Sequence, residues 1–220
     1  MKSIGLQIIE TYKKHLDMGL NIGSEGNISI RDNQKVYITP SGIDIKDLKE
    51  KHISILDLDG IKNNKIKPSS EVDLHLMLYK NRDEIRSVVH CHSEWASILS
   101  CQRKDILQFH YMVAEFGGRD IKCAEYATFG TKKLAKNVLK AIKKRKGCLM
   151  ANHGQICVGK NLEEASHLSI ALEKLSKQYF FCLLSKNLKM LSDNEMKEVL
   201  KSFSNYKPVS YTHLRAHETS

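Results

Sequence analysis

The stretch SVVHCHSEW, Ser87 to Trp95, sets two histidines on either side of a cysteine, behind a pair of valines. Successive side chains of a strand point to opposite faces. If Val88 and Val89 lead into a strand, His90 and His92 share one face and Cys91 turns to the other. That geometry offers two imidazoles to one metal and hides a thiol behind them. An H-x-H pair also arises by chance on the polar face of a strand, so the fragment needs support from the rest of the chain.

Working outward, the strand lies between two helices. Upstream, SSEVDLHLMLYKNR (69–82) predicts a helix with Ser70 as its N-cap and Asp73 completing a pattern like a capping box. Downstream, Ser93 caps a short helix through Ile98. The N-terminal MKSIGLQIIETYKKHL places Ile4, Ile8, Ile9, Tyr12 and Leu16 at helical spacing. GLNIGSEGNISIRD is a glycine-rich turn into an alternating strand, KVYITPSG a second strand, and ISILDLDG a third closed by Asp59-Gly60. Then come IKCAEYA as a strand, TKKLAKNVLKAIKKR as a helix, and CLMANHGQICVG as two strands around an Asn-His-Gly turn. LEEASHLSIALEKLSKQYFFCLLS is a long helix, and SDNEMKEVLKSFSNY, capped by Ser192, the last. Strands and helices interleave irregularly, with hairpin-like neighbours. This predicts a single α/β/α domain with a mostly antiparallel central sheet flanked by helices.

The bulk properties agree. The chain has 220 residues, 41% hydrophobic and 27% charged, enough for one domain with a proper core. No apolar run approaches the roughly 18 residues a membrane helix needs, and the N-terminus lacks the apolar core of a signal peptide. Six cysteines (91, 101, 123, 148, 157, 182) are scattered without a C-x-x-C, the usage of reduced thiols in a cytoplasmic protein. The net charge is +10, and its densest run is KAIKKRKG, Lys140 to Gly147. No aromatics interleave with that run. It reads as a helix end whose dipole favours cations, stopped by Gly147. Nucleic acid and membrane are therefore not expected partners. The surplus positive charge would attract anionic, phosphorylated substrates.

The tail VSYTHLRAHETS is set apart. Val209 to Thr219 back-translates, in one frame, to a string resembling a transposase adapter of sequencing libraries. The expectation is a native domain over 1–207 and an adapter translation over 208–220, so His213 and His217 are excluded as ligand candidates.

A catalytic zinc site takes three protein ligands and keeps one position open. Beyond His90 and His92, His153 is the best third candidate, since it stands where a strand ends before a glycine. The same N-H-G string also serves as an ordinary tight turn. His15 and His167 fall in amphipathic helices, as surface or core-edge groups, and His75 is left open. Glu71 opens a helix, where an acid is favoured by the dipole and where a carboxylate near a metal could act as general base. The turns GSEGN (23–27) and PSG (40–42), and the helix start at Ser69-Ser70, could each cradle an anion with backbone N–H groups.

In this order and spacing, GLNIGSEGNISIR, YITPSGI, PSSE, VVHCHSEWA, FHYM, CAEYATFGT and NHG resemble the class II aldolase/adducin superfamily, and within it the L-fuculose-phosphate aldolase branch. The resemblance covers residues 1–207. It implies a zinc enzyme on an α/β/α fold, a homotetramer with active sites at subunit interfaces, and one Zn2+ per subunit held by His90, His92 and His153. It carries the catalytic carboxylate onto Glu71 and phosphate binding onto Gly26, Asn27, Ser41, Gly42, Ser69 and Ser70. A tyrosine from a neighbouring subunit falls on Tyr111, and a C-terminal tyrosine on Tyr206, beside Phe203. The implied reaction is reversible cleavage of a ketose 1-phosphate to dihydroxyacetone phosphate and an aldehyde. The resemblance also admits a sugar-phosphate 4-epimerase of the L-ribulose 5-phosphate type, whose members typically carry Asp where Glu71 stands. It further admits a methylthioribulose 1-phosphate dehydratase and a non-catalytic adducin-like domain. Two departures from the fuculose branch stand out. Glu115 and Phe116 replace small residues, which bears on the aldehyde, and Glu25 puts an acid in a phosphate loop.

Overall fold

In the computed structural model, which describes residues 2–205, the first helix, α1 (Ile4–Asp17), follows from its apolar spacing. Ser3 caps it, its side chain accepting from Leu6 N at 3.1 Å, and Ile8, Ile9 and Tyr12 are buried. The chain reverses at Gly19, in the left-handed region at φ 71°, with Leu20 N donating to the His15 carbonyl.

Seven strands form one sheet: β1 (Asn27–Asp32), β2 (Lys35–Ile38), β3 (Ser54–Asp57), β4 (Ser87–Cys91), β5 (Cys123–Ala124), β6 (Gly147–Met150) and β7 (Gly154–Gly159). Their order is β3-β2-β1-β4-β7-β6-β5, and only the β5–β6 pair is parallel. The remaining helices are α2 (Val72–Asn81), α3 (Glu94–Cys101), α4 (Lys132–Ile142), α5 (Leu162–Ser185) and α6 (Asp193–Asn205). The expected α/β/α domain with a mostly antiparallel central sheet is what the chain forms.

Strand alternation divides the core. Val88, Cys148, Met150, Ile156 and Val158 face α2 and α4, packing with Leu74, Leu78, Leu134 and Val138. Their neighbours turn the other way: Val89 and Cys91 join α1 and Ile28, while Leu149 and Cys157 join α3, α5 and α6. Each strand of the β4–β7–β6 centre is thus buried on both faces, which explains its near-continuous hydrophobic sequence.

Several element ends differ from expectation. The N-cap of α2 is Glu71, without a side-chain cap bond, rather than Ser70. A turn over 69–72, in which Val72 N donates to the Ser69 carbonyl, takes the serines out of the helix. The strand expected over 121–127 shrinks to two residues. The basic run closes α4 only through Lys140 in its last turn: the helix ends at Ile142, earlier than expected, as Lys143 adopts φ 36°. Gly147 instead opens β6, where a Cβ would lie 2.9 Å from Cys157 Sγ and 3.1 Å from the Phe116 ring. Arg145 pairs with Asp120 and Lys146 with Glu164, so part of the run is spent on surface ion pairs. The α6 expectation holds: Ser192 Oγ accepts from Glu195 N while Glu195 Oε2 accepts from Ser192 N. Among the described residues no helix is long and apolar enough to cross a membrane, and the six cysteines are free.

Candidate active site

The register of the central strands builds the site. Asn27, at the start of β1, stands opposite His90 near the end of β4. His90 in turn pairs with Ile156 of β7, so the β6–β7 turn carrying His153 lies beside it. His92 lies one residue past β4, outside the strand proper, yet its ring returns to the same side as His90. The two Nε2 atoms are 3.0 Å apart, and His153 Nε2 is 3.1 Å from His92 Nε2. Cys91 points to the opposite face, fully buried beside His15, with Sγ 3.6 Å from His15 Nδ1. The cysteine is a packing group and the flanking histidines converge, as the alternation implied.

Glu71 completes the cluster. Its Oε2 lies 3.0 Å from His90 Nε2 and its Oε1 3.7 Å from His153 Nε2. The four ligand atoms of Glu71, His90, His92 and His153 lie within 4.8 Å of one another, so these residues could hold a metal ion.

The chemistry of the set fits a tetrahedral divalent cation. Two Zn–N bonds of about 2.05 Å at a tetrahedral angle span roughly 3.3 Å, close to the observed nitrogen separations. His90 Nδ1 donates to the Gln155 carbonyl at 2.7 Å, so the neutral ring would turn a bare Nε2 inward toward a cation. Glu71 Oε1 is buried without a hydrogen-bond partner. Burial, and then the charge of His90, joined by His153 in the case of His92, push His92 down to about 3 and His153 to about 4, so both rings are neutral, the form in which imidazole can hold a metal. Burial also lowers His90, but Glu71 outweighs it and the net shift is upward. For Glu71 burial pushes the carboxyl up. His90, by charge and hydrogen bond, together with His153 and Asn27, reverses this and holds it well below the usual carboxylate range.

A cleft of about 510 Å3 opens over this cluster. One wall is made of the expected anion turns: Gly26 and Asn27, then Ser41 and Gly42, then Ser69 and Ser70. Ser41 N donates to the Lys67 carbonyl and Ser69 N to the Thr39 carbonyl, which clamps the 40–42 and 68–70 turns side by side. Gly26 is conformationally required. It sits at φ 68°, and a Cβ there would lie 2.5 Å from both Asn21 Oδ1 and the His90 carbonyl. Glu25 also lines the cleft; it accepts from Ile22 N, and its Oε1 is 4.0 Å from His92 Nδ1.

Two expected residues do not join the site within this chain. Tyr111 begins a 3-10 turn (Tyr111–Phe116), is 52% exposed and stacks on the His110 ring, away from the cleft lining. Tyr206 lies outside the described residues, while Phe203, on α6, packs against the core. Glu115 and Phe116 do not reach the cleft either. Phe116 is wholly buried in the core and Glu115 accepts from His167 at 2.7 Å. His15, expected at a surface or core edge, is fully buried, because α1 lies flat on the sheet and its ring reaches Ser166 on α5.

Sequence reading missed several contributors. Asn21 Oδ1 accepts from His92 N at 3.0 Å and so sets the backbone of that ligand. Tyr126, Phe129 and Asn152 also line the cleft. Nothing in the spacing around Asn21 marks it. Tyr126 and Phe129 lie in CAEYATFGT, a string whose order was informative but whose members have no distinctive chemistry.

Comparison with known proteins bears on the same site. The family described as Class II Aldolase and Adducin N-terminal domain matches residues 6–180. The 5-methylthioribulose-1-phosphate/5-deoxyribulose-1-phosphate aldolase of Rhodospirillum rubrum is 39% identical over 199 residues, covering 90% of each chain. The L-fuculose phosphate aldolase of Escherichia coli K12 is also 39% identical, over 201 residues, covering 91% of this chain and 94% of the relative. A solved L-fuculose 1-phosphate aldolase superimposes with a TM-score of 0.88 at 36% identity, covering 93% of this chain and 98% of the other. On the family match and these full-length relatives together, this chain belongs to the class II aldolase and adducin N-terminal domain family.

Proposed function

We propose that the protein is a zinc-dependent aldolase that reversibly cleaves a ketose 1-phosphate to dihydroxyacetone phosphate and an aldehyde. One observation carries the reading. Three imidazole Nε2 atoms and a buried carboxylate converge at the floor of a cleft walled by serine and glycine turns. The relatives' names bracket the substrate, since L-fuculose 1-phosphate and 5-methylthioribulose 1-phosphate or 5-deoxyribulose 1-phosphate are all ketose 1-phosphates.

Each residue has a task in that reaction. Ser41, Gly42, Ser69 and Ser70, with Gly26 and Asn27, bind the substrate phosphate by hydroxyl, amide and backbone N–H groups. This anchors the sugar and orients its carbon chain over the histidines. His90, His92 and His153 hold the cation. As three neutral ligands they leave its double charge unneutralised. When bound, zinc supplies Lewis-acid stabilisation of the negative charge that develops on the substrate oxygens. Glu71 moves the proton at the carbon that becomes part of dihydroxyacetone phosphate. The C3–C4 bond breaks, the C4 hydroxyl loses its proton as the aldehyde forms, and C3 gains one. Tyr111, exposed here, is suited to reach the cleft of a neighbouring subunit in a homotetramer and handle the proton on the aldehyde oxygen. Tyr206, outside the described residues, is the further catalytic tyrosine that the resemblance carries over.

The test is a panel of ketose 1-phosphates and pentulose 5-phosphates assayed with zinc and with chelator. Chelator-sensitive release of dihydroxyacetone phosphate supports the reading; interconversion of pentulose phosphates without release would sink it in favour of an epimerase. Glu71→Gln should retain zinc, measured per chain, and lose roughly 100-fold or more in kcat. A fully active variant would remove Glu71 from the reaction.

A further inference from the structure

Behind the cleft runs a continuous line of buried polar contacts that neither the metal ligands nor the phosphate cradle requires. Asn27 Nδ2 donates to Glu71 Oε2 at 3.1 Å. The other edge of the same amide, Oδ1, lies 2.5 Å from His75 Nε2. His75 Nδ1 is 2.6 Å from Ser29 Oγ, and Ser29 Oγ is 2.6 Å from the Tyr79 hydroxyl. Asn27 is 4% exposed, and His75, Ser29 and Tyr79 are fully buried.

Donor and acceptor counting fixes every member of this line. An ionised carboxylate only accepts, so the Asn27 edge facing Glu71 must be its NH2 group. Its carbonyl then faces His75, whose Nε2 must carry the hydrogen. A neutral imidazole protonated on Nε2 has a bare Nδ1, which accepts from the Ser29 hydroxyl; Ser29 oxygen then accepts from Tyr79. Burial pushes His75 down to about 3, so the ring is neutral and one tautomer must be chosen. The opposite tautomer would rotate the Asn27 amide and set a carbonyl oxygen against Glu71 and toward the cleft.

We propose that His75 is a positioning residue that fixes the Asn27 amide so that its N–H edge meets both Glu71 and the substrate phosphate. The substrate part of this inference rests on the aldolase reading above. A donor held in place by buried partners needs no reorganisation when the anion arrives, which is where such groups act most strongly.

Two variants of the full chain test it. His75→Leu removes the donor, and His75→Gln keeps an N–H that can reach Asn27 Oδ1. Expected for His75→Leu is a fall of about 100-fold in kcat/KM on the ketose 1-phosphate. Inhibition by inorganic phosphate should weaken about 10-fold or more, with one zinc still bound per chain. His75→Gln should recover most of both losses. A merely structural histidine would lower thermal stability but leave phosphate inhibition and activity per zinc-loaded chain unmoved. That result, or a His75→Gln no better than His75→Leu, overturns the proposal. Independently of any reaction, 15N spectra of histidine-labelled wild type, assigned against His75→Gln, should show the hydrogen on Nε2. A hydrogen on Nδ1 overturns the proposal even for an active aldolase. An enzyme that cleaves no ketose phosphate defeats the functional reading and leaves the tautomer to be decided by the spectra.

Discussion

At the scale of single residues, Gly26 shows how tightly the site is tied to the backbone. Its φ of 68° belongs to the left-handed region, and the space for a Cβ is taken by Asn21 Oδ1 and the carbonyl of His90. Asn21 is also the acceptor for His92 N. One added methyl therefore presses on the supports of two histidines of the cluster at once. Gly26→Ala should cost about 1–3 kcal/mol of stability from backbone strain and contact. It should also weaken zinc retention against a competing chelator, which a remote destabilisation of the same size would not do. Denaturant unfolding and zinc content read the two effects separately. A variant as stable as wild type, with unchanged zinc affinity, would show that the turn relaxes freely.

At the scale of elements, α1 contributes a pH dependence through His15. This histidine is fully buried, with Nε2 2.7 Å from Ser166 Oγ on α5 and Nδ1 3.6 Å from Cys91 Sγ on β4. Burial, and secondarily Lys14, lowers it from 6.5 to about 4. Its folded pKa is depressed, so the fold holds it neutral while the unfolded chain binds a proton more readily. The associated stability is fully present above pH 6.5 and is lost as pH falls toward 4, about 3 kcal/mol in all. His15→Gln keeps a hydrogen bond and cannot titrate. Its stability should fall less steeply than wild type between pH 6.5 and 4, by urea unfolding at fixed salt. Parallel curves would contradict the role. His15 also marks where sequence reading stopped. Apolar spacing located α1 and strand alternation placed Cys91 behind His90, because both depend on local periods of 3.6 and 2 residues. Helical spacing alone cannot say that the ring at position 15 meets a serine 151 residues later. The same limit hid Asn21 and the bond from His75 to Asn27. It also misplaced the start of α2 and the end of α4, where turns at 69–72 and Lys143 overrode propensity. His90 and His92 were legible from strand alternation, His153 from its place at a strand end before a glycine, and Glu71 from its place at a helix start together with the family resemblance.

At the scale of the whole molecule, the cluster joins separate parts of the chain that the sheet brings to one point. Glu71 precedes α2, His90 lies one residue before the end of β4, His92 follows the strand, and His153 lies in the turn between β6 and β7. Each is fixed by a different neighbour: His90 by the Gln155 carbonyl, His92 N by Asn21, His153 N by Ser100 Oγ at 3.2 Å. His92 Nε2 lies 3.0 Å from His90 Nε2 and 3.1 Å from His153 Nε2, and a buried oxygen of Glu71 has no hydrogen-bond partner. Such an arrangement costs free energy that a bound ion recovers. Because the unfolded chain scatters these four residues, zinc, on the proposed reading, would bind the fold and stabilise it by mass action. At a free concentration a thousandfold above Kd the contribution is about 4 kcal/mol. Stripping the protein with a chelator should therefore lower its unfolding free energy by about that amount, and adding zinc back should restore it. His153→Ala, which opens the ligand set, should abolish the zinc-dependent increment while leaving apoprotein stability near that of wild type. An unfolding midpoint indifferent to zinc in the wild type, or an increment that survives in His153→Ala, would separate the cluster from metal binding.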